Sequence, residues 1–160
     1  MIVMIWYINS FKDYQSYFMM NDLEQTAEKG EPVFRNERVL VVDDHQKWLN
    51  DATNNLEYYG CKRENIFWAY NIKGGEKIYY AKNPSMTMID INFNEHYLKD
   101  TQGLDLISTI RKDNGHIIIA AMSSLKDIEQ KALDSGVNYF INKKRFIEDF
   151  DGFAKWYKQK

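Results

Sequence analysis

Asp43, Asp44, Asp90 and Lys143 are the residues of this sequence best placed for chemistry, because each stands at or near the end of a short apolar run. Asp43-Asp44 follow VLVV (39–42), Asp90 lies within MTMIDI (86–91), Ser123-Ser124 follow IIIAAM (117–122) and Lys143 follows YFIN (139–142). Carboxylates brought to one point repel each other and raise one another's pKa unless a cation joins them. Mg²⁺ suits such a group, since it takes hard oxygen ligands, keeps several waters and needs only one or two carboxylates. An ammonium and a hydroxyl at the same rim bind the oxygens of a phosphoryl group. A carboxylate is a competent phosphoryl acceptor, forming an acyl phosphate. The chemistry these types predict is metal-assisted phosphoryl transfer onto an aspartate, with charge stabilised by Mg²⁺ and Lys143. The plainer reading, three aspartates that merely cap helices, leaves the lysine in register with them unexplained.

Such residues meet only if the runs become neighbouring strands. From Arg38 onward, β-branched or apolar runs alternate with stretches of helical spacing. IFWAY (66–70) adds a fifth run to the four above. Between the runs, Trp48, Leu49, Ala52 and Leu56 mark a first helix that Gly60 closes. GGEKIYYAK gives a second helix after Gly74-Gly75, stopped at Asn83-Pro84. Leu104, Ile107 and Ile110 mark a third, Leu125, Ile128 and Ala132 a fourth, and Phe146, Phe150, Phe153 and Tyr157 a fifth. Five strands alternating with five helices predict an α/β domain with a parallel sheet covered on both faces. In open sheets of that kind, functional groups gather outside the carboxyl ends of the strands.

Residues 1–37 differ in composition. Met and aromatics crowd the first twenty, and Tyr7, Phe11, Tyr14 and Phe18 fall at helical spacing before a polar stretch ending in Gly30-Glu31-Pro32. They read as an N-terminal extension whose apolar surface packs on the domain, pairs with a second copy or docks a partner, with the domain proper at 38–160. The apolar run at the start is too short for a membrane span, which needs roughly 20 residues, and lacks the basic leader and cleavage site of a signal peptide. A net charge of −2 with no basic stripe argues against direct nucleic-acid binding. The lone Cys61 excludes an intrachain disulfide framework and fits a reducing cytosol. The chain is therefore expected to be cytoplasmic, with no membrane contact.

RVLVVDDHQKWL, MTMIDINF, GLDLISTIR, AMSS and SGVNYFINKK, in this order and spacing, resemble the receiver domain of two-component response regulators (the CheY-like superfamily). The resemblance covers about 120 residues. It implies a doubly wound, flavodoxin-like five-stranded parallel sheet of order 2-1-3-4-5. It also implies that Asp90 is the phosphoacceptor, and that Asp43, Asp44, Asp90 and the backbone carbonyl of Asn92 hold Mg²⁺. Lys143 would contact the phosphoryl group, and Phe140 would be the aromatic switch residue. Counting forward from the third helix puts Ser123 at the phosphoryl-binding and switch hydroxyl. Counting back from Lys143 without a gap puts Ala121 there, and Ser123 with a shortened loop is preferred, because a gap in a loop costs little.

The sequence departs from the family in three places. Lys144 follows the lysine where proline in a cis bond is usual. Asn94 stands where a proline usually follows the acceptor. The loop NFNEHYLKDTQ, which includes His96, is about five residues longer than usual. The function the resemblance implies is a stand-alone receiver that takes a phosphoryl group from a sensor histidine kinase or phosphotransfer protein and signals to a downstream protein by contact or homodimerisation. It implies a signalling domain, not an enzyme. A non-phosphorylated pseudo-receiver is the alternative. A phosphohydrolase using Asp90 is disfavoured because Asn92, not an aspartate, stands two residues on.

Overall fold

The computed structural model describes residues 30–93, 101–125 and 127–160. The first 29 residues, and with them the predicted extension helix, lie outside the described residues, as does most of the long loop after Asp90, including His96. Glu31–Lys160 form one compact unit.

Five strands are present: β1 (Val39–Val42), β2 (Ile66–Ala69), β3 (Met86–Asp90), β4 (Ile118–Ser123) and β5 (Tyr139–Asn142). They pair in parallel in the order β2-β1-β3-β4-β5. The helices are α1 (Gln46–Tyr58), α2 (Ile72–Lys82), α3 (Gln102–Asp113), α4 (Glu129–Asp134) and α5 (Phe146–Lys158). This is the doubly wound architecture that the alternation of runs and periodic stretches predicts. Among the described residues, no helix is long and apolar enough to cross a membrane.

The near-continuous apolar strands follow from burial on both faces. Successive side chains point to opposite sides, so each strand feeds two cores. Val39, Val41, Met86, Met88, Ala120, Met122 and Ile141 pack under α1 and α5. Leu40, Val42, Ile89, Ile91, Ile119 and Ala121 pack under α2, α3 and the α4 region. Phe34 precedes β1 yet is fully buried in the first core. Its ring lies 5.5 Å from Phe153 and 5.1 Å from Tyr157, and its N–H donates to the Tyr59 carbonyl.

Two local features differ from expectation. Gly74-Gly75 do not precede α2 but lie in its first turns, because Asn71 supplies the cap and its side chain accepts from the Gly74 N–H. The fourth helix is only six residues long, and Asp127 ahead of it adopts φ 62°.

Candidate functional site

The parallel register carries the chemistry-bearing residues to one end of the sheet. Val42 pairs with Ile89 and Ala69, so Asp43 emerges beside the end of β3. Asp90 pairs with Met122. Ser123 therefore lies one step beyond Asp90's neighbour, and it pairs in turn with Asn142, the residue before Lys143. Ala121 pairs with Ile89, below the rim, and belongs to the apolar core under α3. Ser123 thus stands at the end of β4, with Ala121 two residues below it.

Lys143 is the centre of the constellation. Its Nζ lies 2.6 Å from Asp43 Oδ2 and 2.9 Å from Asp90 Oδ2. All three groups are buried, with Asp43 at 0%, Asp90 at 2% and Lys143 at 7% exposure. One cation between two buried carboxylates leaves a net negative charge in a medium that solvates charge poorly. Burial, with Asp43 adding to it, pushes Asp90 up to about 7 against the opposing pull of Lys143 and the Asn92 N–H. Asp43 is also raised, by its burial, although Lys143 opposes the shift.

Asp43 is shared between two groupings. On one side it meets Lys143 and Asp90. On the other, its Oδ1 accepts the His45 N–H at 2.9 Å, and its carboxylate, Asp44 and His45 offer ligand atoms within 4.8 Å of one another. His45 Nδ1 lies 2.8 Å from Asp44 Oδ1. His45 directly follows the aspartate pair, but no motif in the sequence marks it for this contact. Asn92 is buried, and its N–H donates to Asp90 Oδ1 at 3.3 Å. Ser123 is fully buried, and its Oγ accepts the Leu125 N–H. Phe140 is half-buried against the core under α3.

The donor set suits a hard divalent cation. Asp43 Oδ2 is buried and meets the Lys143 ammonium at 2.6 Å, a charge-assisted contact. Asp43 and Asp44 present carboxylate oxygens close together beside His45, and hard oxygen donors of this kind suit Mg²⁺.

The turn after β5 is built without proline. The Lys143–Lys144 bond is trans. Residues Lys143–Arg145 make one 3₁₀ turn whose cap is Asn142, the side chain accepting the Lys144 N–H at 2.9 Å. Asp149 in turn accepts the Asn142 N–H at 2.9 Å. Cys61 takes no part in the site: it is buried near the other end of the sheet and burial pushes its thiol up to about 11.

The doubly wound 2-1-3-4-5 sheet carries its buried aspartates and lysine at the carboxyl rim, an arrangement shared by signalling domains of the receiver class. The sequence profile of the response regulator receiver domain matches residues 39–150, and the chain belongs to that family. No curated protein sequence matches the chain. Among solved structures, it is similar to the receiver domain of Francisella response regulator 1452, with TM-score 0.62 and 21% identity over 78% of this chain and 98% of that one. It is also similar to TrrA of Thermotoga maritima, solved with Mg²⁺ and BeF, at TM-score 0.63 and 19% identity over 76% and 98%. NtrX of Brucella abortus, solved with ADP, matches at TM-score 0.63 and 18% identity, but the chain spans only 26% of its length. Receiver domains bind Mg²⁺ in an acidic pocket and work with histidine kinases or phosphotransfer proteins.

Proposed function

We propose that this receiver accepts a phosphoryl group on Asp90 from a phosphohistidine of a sensor kinase or phosphotransfer protein. The observation that carries the reading is the Lys143 ammonium bridging Asp90 and Asp43 in one buried site. The N–P bond of the donor breaks as an O–P bond to the Asp90 carboxylate forms, and the histidine takes up a proton. Asp43, Asp44, Asp90 and the Asn92 carbonyl are the residues that would hold Mg²⁺. When bound, Mg²⁺ supplies positive charge that favours ionised carboxylates and stabilises the transferring phosphoryl oxygens. Lys143, already within reach of Asp90, neutralises charge on the phosphoryl group. Ser123 and Phe140 report the modified state by rearranging around it, which shifts an existing equilibrium between two conformations.

Two surface features support a protein partner. A groove of about 420 Å³ runs beside Lys143 between Trp48 on α1 and Phe146 on α5. Ile147 at its edge is 74% exposed, and Lys143, Lys144 and Arg145 line it together with the Lys47–Asp51 pair and Glu148, leaving an excess of positive charge. A donor protein presenting its phosphohistidine there has an apolar contact and charges that attract the phosphoryl group. Output by contact with a downstream protein, or with a second copy, completes the reading.

Incubation with Mg²⁺ and acetyl phosphate tests it. The expected result is a mass gain of one phosphoryl group that is absent from Asp90→Asn. Labelling that survives in that variant overturns the acceptor assignment. An unlabelled wild type, under conditions that label a control receiver, makes the chain an unphosphorylated interaction module.

A further inference from the structure

We propose that Trp48 is the positioning residue that holds Lys143 over the carboxylates. The inference rests on the reading of Asp90 as phosphoacceptor and adds to it. Lys143 Nζ lies 5.2 Å from the centre of the Trp48 ring. An ammonium within about 6 Å of an indole face is attracted by the ring's quadrupole, and the attraction strengthens when the pair is shielded from water. The Lys143 side chain is 5% exposed, so the shielding is present. The indole is itself braced, because its ring lies 5.5 Å from Phe146, the first residue of α5 and the residue after the Lys143–Arg145 turn.

Trp48 thus touches both the ammonium and the far end of the turn that presents it. The turn has a hydrogen-bonded cap at Asn142, which fixes its backbone. The cap does nothing for the flexible four-carbon stem that separates the Lys143 backbone from its ammonium. A long lysine side chain has many rotamers to lose, and reaction with a phosphoryl group needs one of them. Asp43 and Asp90 anchor the ammonium at 2.6 and 2.9 Å, and the indole adds a second constraint on the stem. Lys47 Nζ also lies on this ring, 3.6 Å from its centre, while paired with Asp51 at 2.6 Å. The ring therefore carries an outer ammonium that is solvent-exposed and an inner one that is buried. Only the inner one reaches the reacting carboxylate.

Packing and positioning are separable because an aliphatic side chain fills space without a quadrupole. Trp48→Phe and Trp48→Leu are compared with wild type for Mg²⁺-dependent labelling by acetyl phosphate and for thermal midpoint. Trp48→Phe is expected to label within about twofold of wild type. Trp48→Leu is expected to label roughly five- to tenfold more slowly, with a midpoint matching that of Trp48→Phe. Equal rates for Trp48→Leu and wild type, or losses that simply track the midpoint in both variants, overturn the proposal. A second readout does not depend on labelling. In protein carrying 5-fluorotryptophan, the Trp48 fluorine resonance, assigned from Trp48→Phe, is expected to move in Lys143→Gln while that of Trp156 stays. An unmoved Trp48 resonance overturns the contact. A wild type that never labels, but whose Trp48 resonance responds to Lys143→Gln, leaves the contact standing and defeats only the phosphoacceptor reading.

Discussion

Gly103, near the start of α3, lies directly against the backbone of Asp90. A Cβ at this glycine would overlap the Asp90 carbonyl oxygen and sit 2.6 Å from the Cα of Ile91. The Gly103 N–H donates to the Ile91 carbonyl at 3.1 Å. The helix that closes over the site can therefore dock only because this residue has no side chain. Gly103→Ala forces α3 or the end of β3 to move. We expect a stability loss of about 1–3 kcal/mol, as for other overpacked contacts, and slower labelling of Asp90. Urea denaturation and acetyl phosphate labelling measure the two effects.

Asp90 makes the metal-free protein sensitive to pH. Burial raises its pKa from the ordinary 3.8 to about 7, so the folded chain keeps a proton that the unfolded chain has released. The stability associated with that proton is complete below the unfolded value and is lost as pH rises to about 7. Asp43, also raised, acts in the same direction. Asp90→Asn carries no such loss. In chelator, the variant should gain about 1–3 kcal/mol on wild type between about pH 4 and pH 7, and denaturation midpoints across that range check it. A difference that shrinks with rising pH refutes the sign.

Phe34 is completely buried among Tyr59, Phe150, Phe153 and Tyr157. Truncating a large buried aromatic removes transfer energy and leaves a cavity. Phe34→Ala should cost about 3–5 kcal/mol, read as a lower urea midpoint. A change below about 1 kcal/mol means that the segment before β1 does not belong to the fold.

Arg111 tests whether the two ends of the sheet are independent. Its guanidinium donates to the carbonyls of Gly136, Gly115 and Ile117 and to Asn138 Oδ1. These partners lie at the ends of β4 and β5 away from Asp90. Arg111→Ala leaves several acceptors without a donor and should destabilise by about 2–4 kcal/mol. Under folding conditions its rate of Asp90 labelling should equal that of wild type, which a labelling time course decides.

Thr87 in β3 is an opportunity for stabilisation. Its Oγ1 is buried and has no hydrogen-bond partner among the described residues, while its strand neighbours are Leu40 and Ile119. Thr87→Val replaces an unsatisfied hydroxyl by a methyl of similar size. A gain of about 1 kcal/mol is expected, visible as a higher thermal midpoint. A loss means that the hydroxyl has a partner, such as a buried water.

The sequence by itself determined the strands, the alternation with helices, and hence which residues stand at strand ends. Those features are local: an apolar run or a helical period is written in adjacent residues. Strand boundaries moved by a single residue, as in β4, which runs from Ile118 to Ser123 rather than 117–122. Gly74-Gly75 misled because glycine normally weakens a helix, and only the Asn71 cap shows where α2 begins. The tertiary structure decided what depends on residues far apart in the chain. The register of β3, β4 and β5 placed Ser123 rather than Ala121 at the rim. Packing put Phe34 in the core and Trp48 against Lys143. The shared ammonium made one site of Asp43 and Asp90. Helical spacing marked Trp48 only as one face of a helix, because a cation over an aromatic ring leaves no periodicity to read.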